Sequence, residues 1–309
     1  MSSVLFLMGP TASGKTALAV ALAQALNGEI ISVDSALVYR GLDIGTAKPS
    51  QEERGGITHH LIDVCEPTDA YSAARFVKDA TELISDITHR GRTPILAGGT
   101  MLYFQALEKG LSPLPEANAQ IRQQLVDEAN HKGWESLHEE LAQVDPRSAA
   151  RIHPNDPQRL QRALEVYRIS GQSLSTLQEQ TGSGLSCPKV KLALLPESRQ
   201  DLHKRIERRF DCMLSQGFVE EVLQLKTLGL DRDLPAMRAV GYRQAFEHLA
   251  GDWTFEQFRE KAIVATRQLA KRQLTWLRGM DDVMSIPSDT LSLEEQLSAG
   301  LTVIEQHEH

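Results

Sequence analysis

Residues 4–16 read VLFLMGPTASGKT. Val4 to Met8 make a short continuous apolar run, the pattern of a strand buried on both faces. The next eight residues, Gly9, Pro10, Thr11, Ala12, Ser13, Gly14, Lys15 and Thr16, match G-x-x-x-x-G-K-[ST] without a gap. In such a loop the glycines permit a tight turn and close backbone approach, and the loop N–H groups and the next helix N-terminus face a phosphate. Lys15 is expected to reach the terminal phosphate oxygens, and the Thr16 hydroxyl to hold a magnesium ion. Thr16 to Gln24 reads as a helix, which supplies the strand–loop–helix context the pattern requires.

Working outward, Glu29 to Val33 reads as a second buried strand ending at Asp34. Ser72 to Arg90 has helical periodicity, and Thr93 to Ala97 is a third strand broken by Gly98 and Gly99. Lys191 to Leu195 can add a late strand. This alternation predicts an α/β fold, a P-loop NTPase-like, mostly parallel sheet core with helices on both faces and a helical insertion domain. Pro113 and Pro115 mark the boundary, and residues 116–180 are helix-like. Asp156 can cap a helix whose first turn holds Pro157 and which Gly171 stops. Leu160, Ala163, Leu164 and Tyr167 fall on one face of that helix, and Gln158, Gln161, Arg162 and Glu165 on another. The expected organisation is a catalytic core of residues 1–112 and 190–285 that includes C-terminal helices, an insertion of residues 113–189, and an acidic C-terminal tail, 286–309. In the C-terminal helices Leu202, Ile206, Phe210 and Leu214 recur every four residues, and Phe255 to Trp276 offers a long helix. The tail contains an amphipathic stretch, Leu291 to Ile304.

The 309 residues are 41% apolar and 24% charged, a globular composition. The first apolar run ends in glycines after about six residues without a basic leader, so neither a signal peptide nor a membrane span is expected and the default location is cytoplasmic. Cys65, Cys187 and Cys212 are too scattered for a disulfide framework or a CxxC site and read as buried thiols. Histidines and cysteines at ligand spacing are too few for a zinc site. The formal net charge of −8 argues against nucleic acid only until its placement is considered. Arg199 to Arg209 holds five basic and two acidic side chains, and Arg238 to Arg278 eight and four, whereas the last twenty-five residues hold no lysine or arginine.

A phosphate loop suggests ATP or GTP chemistry first. Hydrolysis and phosphoryl transfer normally use an acid at another strand end to hold the metal. The strand ILAGG ends in glycines instead, which leaves Asp34 as the acid in such a place. Asp34 can cap the next turn or can do chemistry.

GPTASGKT followed by VDSALVYRGLDIGTAKP resembles the tRNA dimethylallyltransferases, also called tRNA isopentenyltransferases. The resemblance continues through HHLIDV (59–64), AGGTMLYFQAL (97–107), NDPQRLQRALEVYRISG (155–171), RIERRFDCML (205–214), MRAVGYRQ (237–244) and ATRQLAKRQLTW (265–276). It implies that the loop holds the diphosphate of dimethylallyl diphosphate, and that the prenyl group moves to N6 of the adenosine just 3′ of the tRNA anticodon. Asp34 is then the general base, Lys15 and magnesium on Thr16 neutralise the departing pyrophosphate, and Thr100 lies near the reacting centre and touches the tRNA. The resemblance places Asp34, Ser35, Ala36 and Leu37 along the flipped nucleotide. Gln158, Arg159, Leu160, Gln161 and Arg162, with Arg122, would grip the anticodon stem-loop from the insertion. Arg238, Ala239, Val240, Gly241, Tyr242 and Arg243 would do so from the core. Arg205 and Arg208 are candidates for the diphosphate or the tRNA backbone, and Tyr39 and Tyr103 for the wall of a prenyl pocket. Ala36 and Leu37 depart from the arginine and glutamine of many relatives, so base contacts there must be apolar or through the backbone. A monomer is expected. Two other readings stay open at this point, an ATP-dependent small-molecule or nucleoside kinase and a non-catalytic RNA-binding switch.

Overall fold

The fold comes from a computed structural model that describes residues 3–180 and 182–308. Strands β1 (Val4–Met8), β2 (Gly28–Val33), β3 (His59–His60), β4 (Thr93–Gly98), β5 (Lys189–Leu195) and β6 (Met284–Pro287) form one sheet in the order β3-β2-β4-β1-β5-β6. Every pairing in it is parallel. The helices are α1 (Lys15–Ala25), α2 (Ala73–His89), α3 (Met101–Lys109), α4 (Ala119–Lys132), α5 (Trp134–Val144), α6 (Pro146–Arg151), α7 (Pro157–Ser170), α8 (Leu174–Glu179), α9 (Arg199–Ser215), α10 (Phe218–Thr227), α11 (Tyr242–Leu249), α12 (Phe255–Arg278) and α13 (Leu293–Glu308). None of the described helices is long and apolar enough to cross a membrane.

The chain divides into two compact units, residues 1–105 with 187–309 and residues 106–186. In the first, β1 is apolar throughout because both of its faces are covered, as parallel sheets require. Leu5 and Leu7 pack with Leu18 and Leu22 of α1 and with Ile304 of α13. Phe6 points to the other face and meets Phe104 of α3, with ring centroids 5.2 Å apart. The acidic segment expected as a tail holds part of the sixth strand and the last helix of this unit, since Ile286 pairs with Leu194 and α13 joins the core on α1. The two-residue strand β3 escapes the periodicity rule because it is too short to show a period.

Phe210 of α9, Phe218 of α10, Tyr242 of α11 and Phe258 of α12 form a cluster of edge-on and tilted rings. This cluster fixes the faces that α9 and α12 present. Of the three cysteines only Cys65 is buried; Cys187 is half-buried and Cys212 exposed.

In the second unit, the Asp156 side chain accepts from Arg159 N–H at 3.2 Å, Pro157 opens α7 and Gly171 follows its end. Leu160, Ala163 and Leu164 enter a core with Leu125, Leu137 and Leu141. The other face of α7 is not simply solvated. Glu165 is fully buried and accepts from Asn118 N–H at 2.7 Å, Arg122 Nε at 2.9 Å and Arg162 at 2.7 Å. Burial pushes the Glu165 carboxyl up, but bonds from Arg122, Arg162 and Asn118 outweigh it and hold the group below its ordinary value.

Glu165→Ala is therefore expected to cost roughly 2–3 kcal/mol in urea unfolding followed by circular dichroism. That is less than a fully buried pair would lose, because Arg122 and Arg162 can still reach water. A carboxyl with a lowered folded pKa stabilises above its ordinary range and stops doing so as pH falls through its folded value. The gap between the two proteins should accordingly narrow in acid.

Candidate active site

The sheet register brings three loops to one edge. Met8 and Val33 both stand opposite Gly98 across β4. The chain therefore leaves β1 into the glycine-rich loop, β2 into Asp34 and β4 into Gly99 and Thr100 at the same level. Between them opens a cavity of about 490 Å³ lined by Thr11, Lys15, Thr16, Asp34, Thr100 and Arg209, among others.

Asp34 does two things. Its Oδ1 accepts from the N–H groups of Ala36 at 2.8 Å and Leu37 at 3.3 Å, which caps the turn after β2. Its Oδ2 has no hydrogen bond among the described residues, and the carboxylate lines the cavity. Thr100 fixes this turn from β4. Its Oγ1 accepts from Ser35 N–H at 3.1 Å, and its own N–H donates to Val33 O at 3.2 Å.

Lys15 donates to Pro10 O at 3.2 Å. Burial and, after it, the nearby Arg209 bring its ammonium down to about 8 against the opposing pull of Asp34. Burial likewise lowers the Arg209 guanidinium, which Asp34 and Glu53 pull back up. Four cations, Lys15, Arg209, Arg238 and Arg272, and one carboxylate, Asp34, thus line a single cavity, with an excess of positive charge suited to an anion. For a metal, the cavity offers the Thr16 hydroxyl and the Asp34 carboxylate. Among the described residues no group of three His, Cys, Asp or Glu side chains could hold an ion. Such a sparse oxygen set fits magnesium, which keeps most of its waters or takes phosphate oxygens.

Part of the expected site meets here, while Gly9, Pro10, Ser13 and Gly14 of the loop lie outside the lining. Thr11, Ala12, Lys15 and Thr16 line the cavity, as do Ser35, Ala36, Leu37, Arg238, Ala239, Val240 and Gly241. Tyr242 does not; it is fully buried and its hydroxyl donates to Glu221. Arg243 is exposed outside the lining. Tyr39 and Tyr103 are buried behind it, Tyr103 donating to Tyr71 O at 3.1 Å and stacking on Phe76. Arg205 donates to Ser288 O at 2.9 Å and Arg208 lies outside the lining. In the other unit, Leu160 is buried, Gln161 donates to Arg122 O at 3.0 Å, and Gln158 and Arg159 are exposed.

Sequence reasoning missed Arg209, Arg272, Gln273, Trp276 and Glu221. The signal for Arg209 was present. It stands three residues after Ile206 and so shares the face of α9 that carries Ile206 and Met213 into the cavity. Glu221 had no local signal. Its carboxylate accepts from Asp43 N–H at 3.0 Å, Ile44 N–H at 2.6 Å and Gly45 N–H at 3.2 Å, and it holds the loop whose Gly45, Thr46 and Ala47 line the cavity. Gly45 must be glycine, since a Cβ there would lie 2.1 Å from the Phe218 ring and 2.6 Å from that of Tyr242.

A family model described as IPP transferase matches residues 37–280. A tRNA dimethylallyltransferase of Stenotrophomonas maltophilia (strain K279a) is 59% identical over 279 residues, 88% of each chain. One of Alkalilimnicola ehrlichii is 60% identical over 276 residues, 89% of this chain and 87% of that one. The crystal structure of the full-length tRNA isopentenylpyrophosphate transferase of Bacillus halodurans superposes with a TM-score of 0.74 at 36% identity, covering 100% of this chain and 98% of that one. A eukaryotic dimethylallyltransferase captured acting on tRNA gives 0.79 at 27% identity, covering 98% and 78%.

The Lys15 environment gives a pH test. Burial and Arg209 bring the Lys15 ammonium down to about 8, whereas a bound diphosphate favours the ammonium, so binding above that pH must take up a proton. Calorimetric affinity for an organic diphosphate, whose own last ionisation is complete well below pH 8, is expected to fall as pH rises from 8 to 9.5. Lys15→Met should bind weakly throughout, with no such step. A flat wild-type profile would contradict the assignment.

Proposed function

The chain belongs to the IPP transferase family, the tRNA dimethylallyltransferases among it, and from that premise we propose how its site works. It transfers a dimethylallyl group from dimethylallyl diphosphate to N6 of the adenosine 3′ of the anticodon in tRNA and releases pyrophosphate. The observation that carries the reading is the meeting of Lys15, Arg209 and Asp34 on one cavity. A kinase would use the same loop and a carboxylate as well; the relatives 59% and 60% identical, tRNA dimethylallyltransferases by name, favour prenyl transfer over it.

Lys15, Arg209 and the N-terminus of α1 hold the diphosphate and stabilise the charge that grows on it as the C1–O bond breaks. The adenine amine attacks the same allylic carbon. Its nitrogen is a poor nucleophile, so Asp34 Oδ2 accepts the N6 proton as the C–N bond forms. Capping by Ala36 and Leu37 N–H fixes the carboxylate while leaving that oxygen available. Thr16 would hold magnesium, which supplies further neutralisation of the leaving group.

A base stacked in the anticodon loop cannot enter such a cavity, so the adenosine is flipped into it. Ala36 and Leu37 offer it apolar contact, since their N–H groups are used on Asp34 and their carbonyls accept from Tyr39 and Asp63 N–H. Arg238 and Arg272 at the cavity, and the exposed Gln158 and Arg159 of α7, meet the tRNA backbone. Arg122 and Arg162 are committed to Glu165 and act by shaping α7 rather than as mobile cations. One copy holds every group named, so the working unit is a monomer.

Incubation with unmodified tRNA, magnesium and dimethylallyl diphosphate should add the mass of one prenyl unit to that adenosine; folded protein that forms no product sinks the reading. Asp34→Asn is expected to lower turnover by ~10²–10⁴-fold with tRNA binding retained; near-normal turnover would remove the base from Asp34. tRNA affinity should fall steeply with salt, and a salt-independent affinity would count against backbone recognition.

A further inference from the structure

We propose that Gln273 is a positioning residue that sets the spacing between the loop holding the leaving group and the loop supporting the base. The inference rests on the prenyl-transfer reading and adds to it a residue outside the reacting set. Gln273 lies on α12 and is only 8% exposed. Both ends of its amide are used. Oε1 accepts from Thr11 N–H at 2.8 Å, and Nε2 donates to Gly99 O at 2.8 Å. The two partners fix the amide's orientation, because a backbone N–H needs an acceptor and a carbonyl needs a donor.

Thr11 belongs to the loop that cradles the diphosphate. Gly99 precedes Thr100, whose Oγ1 holds Ser35 N–H beside Asp34. One side chain therefore ties the leaving-group side of the cavity to the base side. The fit is close. A Cβ on Gly99 would lie 2.4 Å from Gln273 Nε2 and 3.3 Å from Gly9 O, so only glycine admits the amide there. The same bond takes Thr11 N–H away from the diphosphate and leaves the later loop donors for it.

The reaction needs the amine and the allylic carbon within about 3–3.5 Å of each other, and a 1 Å misplacement can cost about 10²-fold. The amine is placed against Asp34 and the allylic carbon hangs from the diphosphate, so the span between the two loops enters this distance directly. Few side chains serve. Asparagine is one carbon short. Glutamate keeps an acceptor for Thr11 but sets a buried anion against the Gly99 carbonyl. Methionine fills the space with neither bond.

The test compares wild-type protein with Gln273→Glu and Gln273→Met, measuring kcat, both KM values and thermal melting from pH 5.5 to 8.5. At pH 8 each variant is expected to lose ~10- to ~100-fold in kcat, with the tRNA KM within about twofold of wild type. The pH profile separates positioning from mere packing. A buried glutamic acid has a raised pKa, and once protonated it regains an O–H to donate to Gly99 O. The ratio of Gln273→Glu to wild-type kcat should therefore rise several-fold toward pH 5.5, while the Gln273→Met ratio stays flat. Wild-type kcat in either variant, equal pH-independent losses in both, or losses that follow a lowered melting temperature would each overturn the proposal. A wild-type protein that makes no prenylated tRNA would overturn the reading beneath it as well, which is a different result from an active wild type with unaffected variants.

Discussion

Parallel pairing of β1 with β4 and of β4 with β2 is the constraint on which the rest depends. In a parallel sheet all carboxyl ends meet one edge, and the register decides which loop residues face each other. Here Met8 and Val33 flank Gly98, so the phosphate loop, Asp34 and Thr100 start from a common level. A shift of one residue in either pairing would turn the strand faces over and carry Asp34 away from Lys15. The apolar continuity of β1 and β2 is thus also what aims the site.

Onto that edge the later part of the chain adds charge and closure. The chain is net acidic, yet Lys15 and Arg209 face a single cavity, where burial lowers the proton affinity of both and Arg209 lowers that of Lys15 further. A bound diphosphate would offset the repulsion between them. The ring cluster of Phe210, Phe218, Tyr242 and Phe258 is what allows α9 to hold Arg209 inward. Glu221 and Gln273 then secure the loops through backbone groups rather than through substrate.

Much of this was legible in the sequence. The buried strands, the phosphate loop and the helix started by Asp156 and Pro157 each carry a local signal, and Asp34 could be picked out as the one acid at a strand end. The family resemblance supplied the chemistry that the loop alone leaves open. What was not legible depends on distant partners. Two residues of β3 have no period to read. Glu165 looks like part of a polar helix face until Arg122 and Asn118 are brought to it from 43 and 47 residues away. Arg205 and Arg208 can equally be solvated opposite the Leu202, Ile206 and Phe210 face, and only the fold shows that Arg209 enters the cavity with Ile206 and Met213. Gln273 and Glu221 act through backbone N–H and C=O groups, which no sequence pattern displays.

The central claim is that the phosphate loop stabilises a departing diphosphate instead of passing a phosphoryl group. The most direct measurement is the phosphate balance during turnover on unmodified tRNA with magnesium. With dimethylallyl diphosphate the account predicts one pyrophosphate released for each prenylated adenosine. With ATP in its place it predicts neither ADP nor orthophosphate. ADP or orthophosphate formed in step with turnover, or prenylated adenosine without matching pyrophosphate, would contradict it.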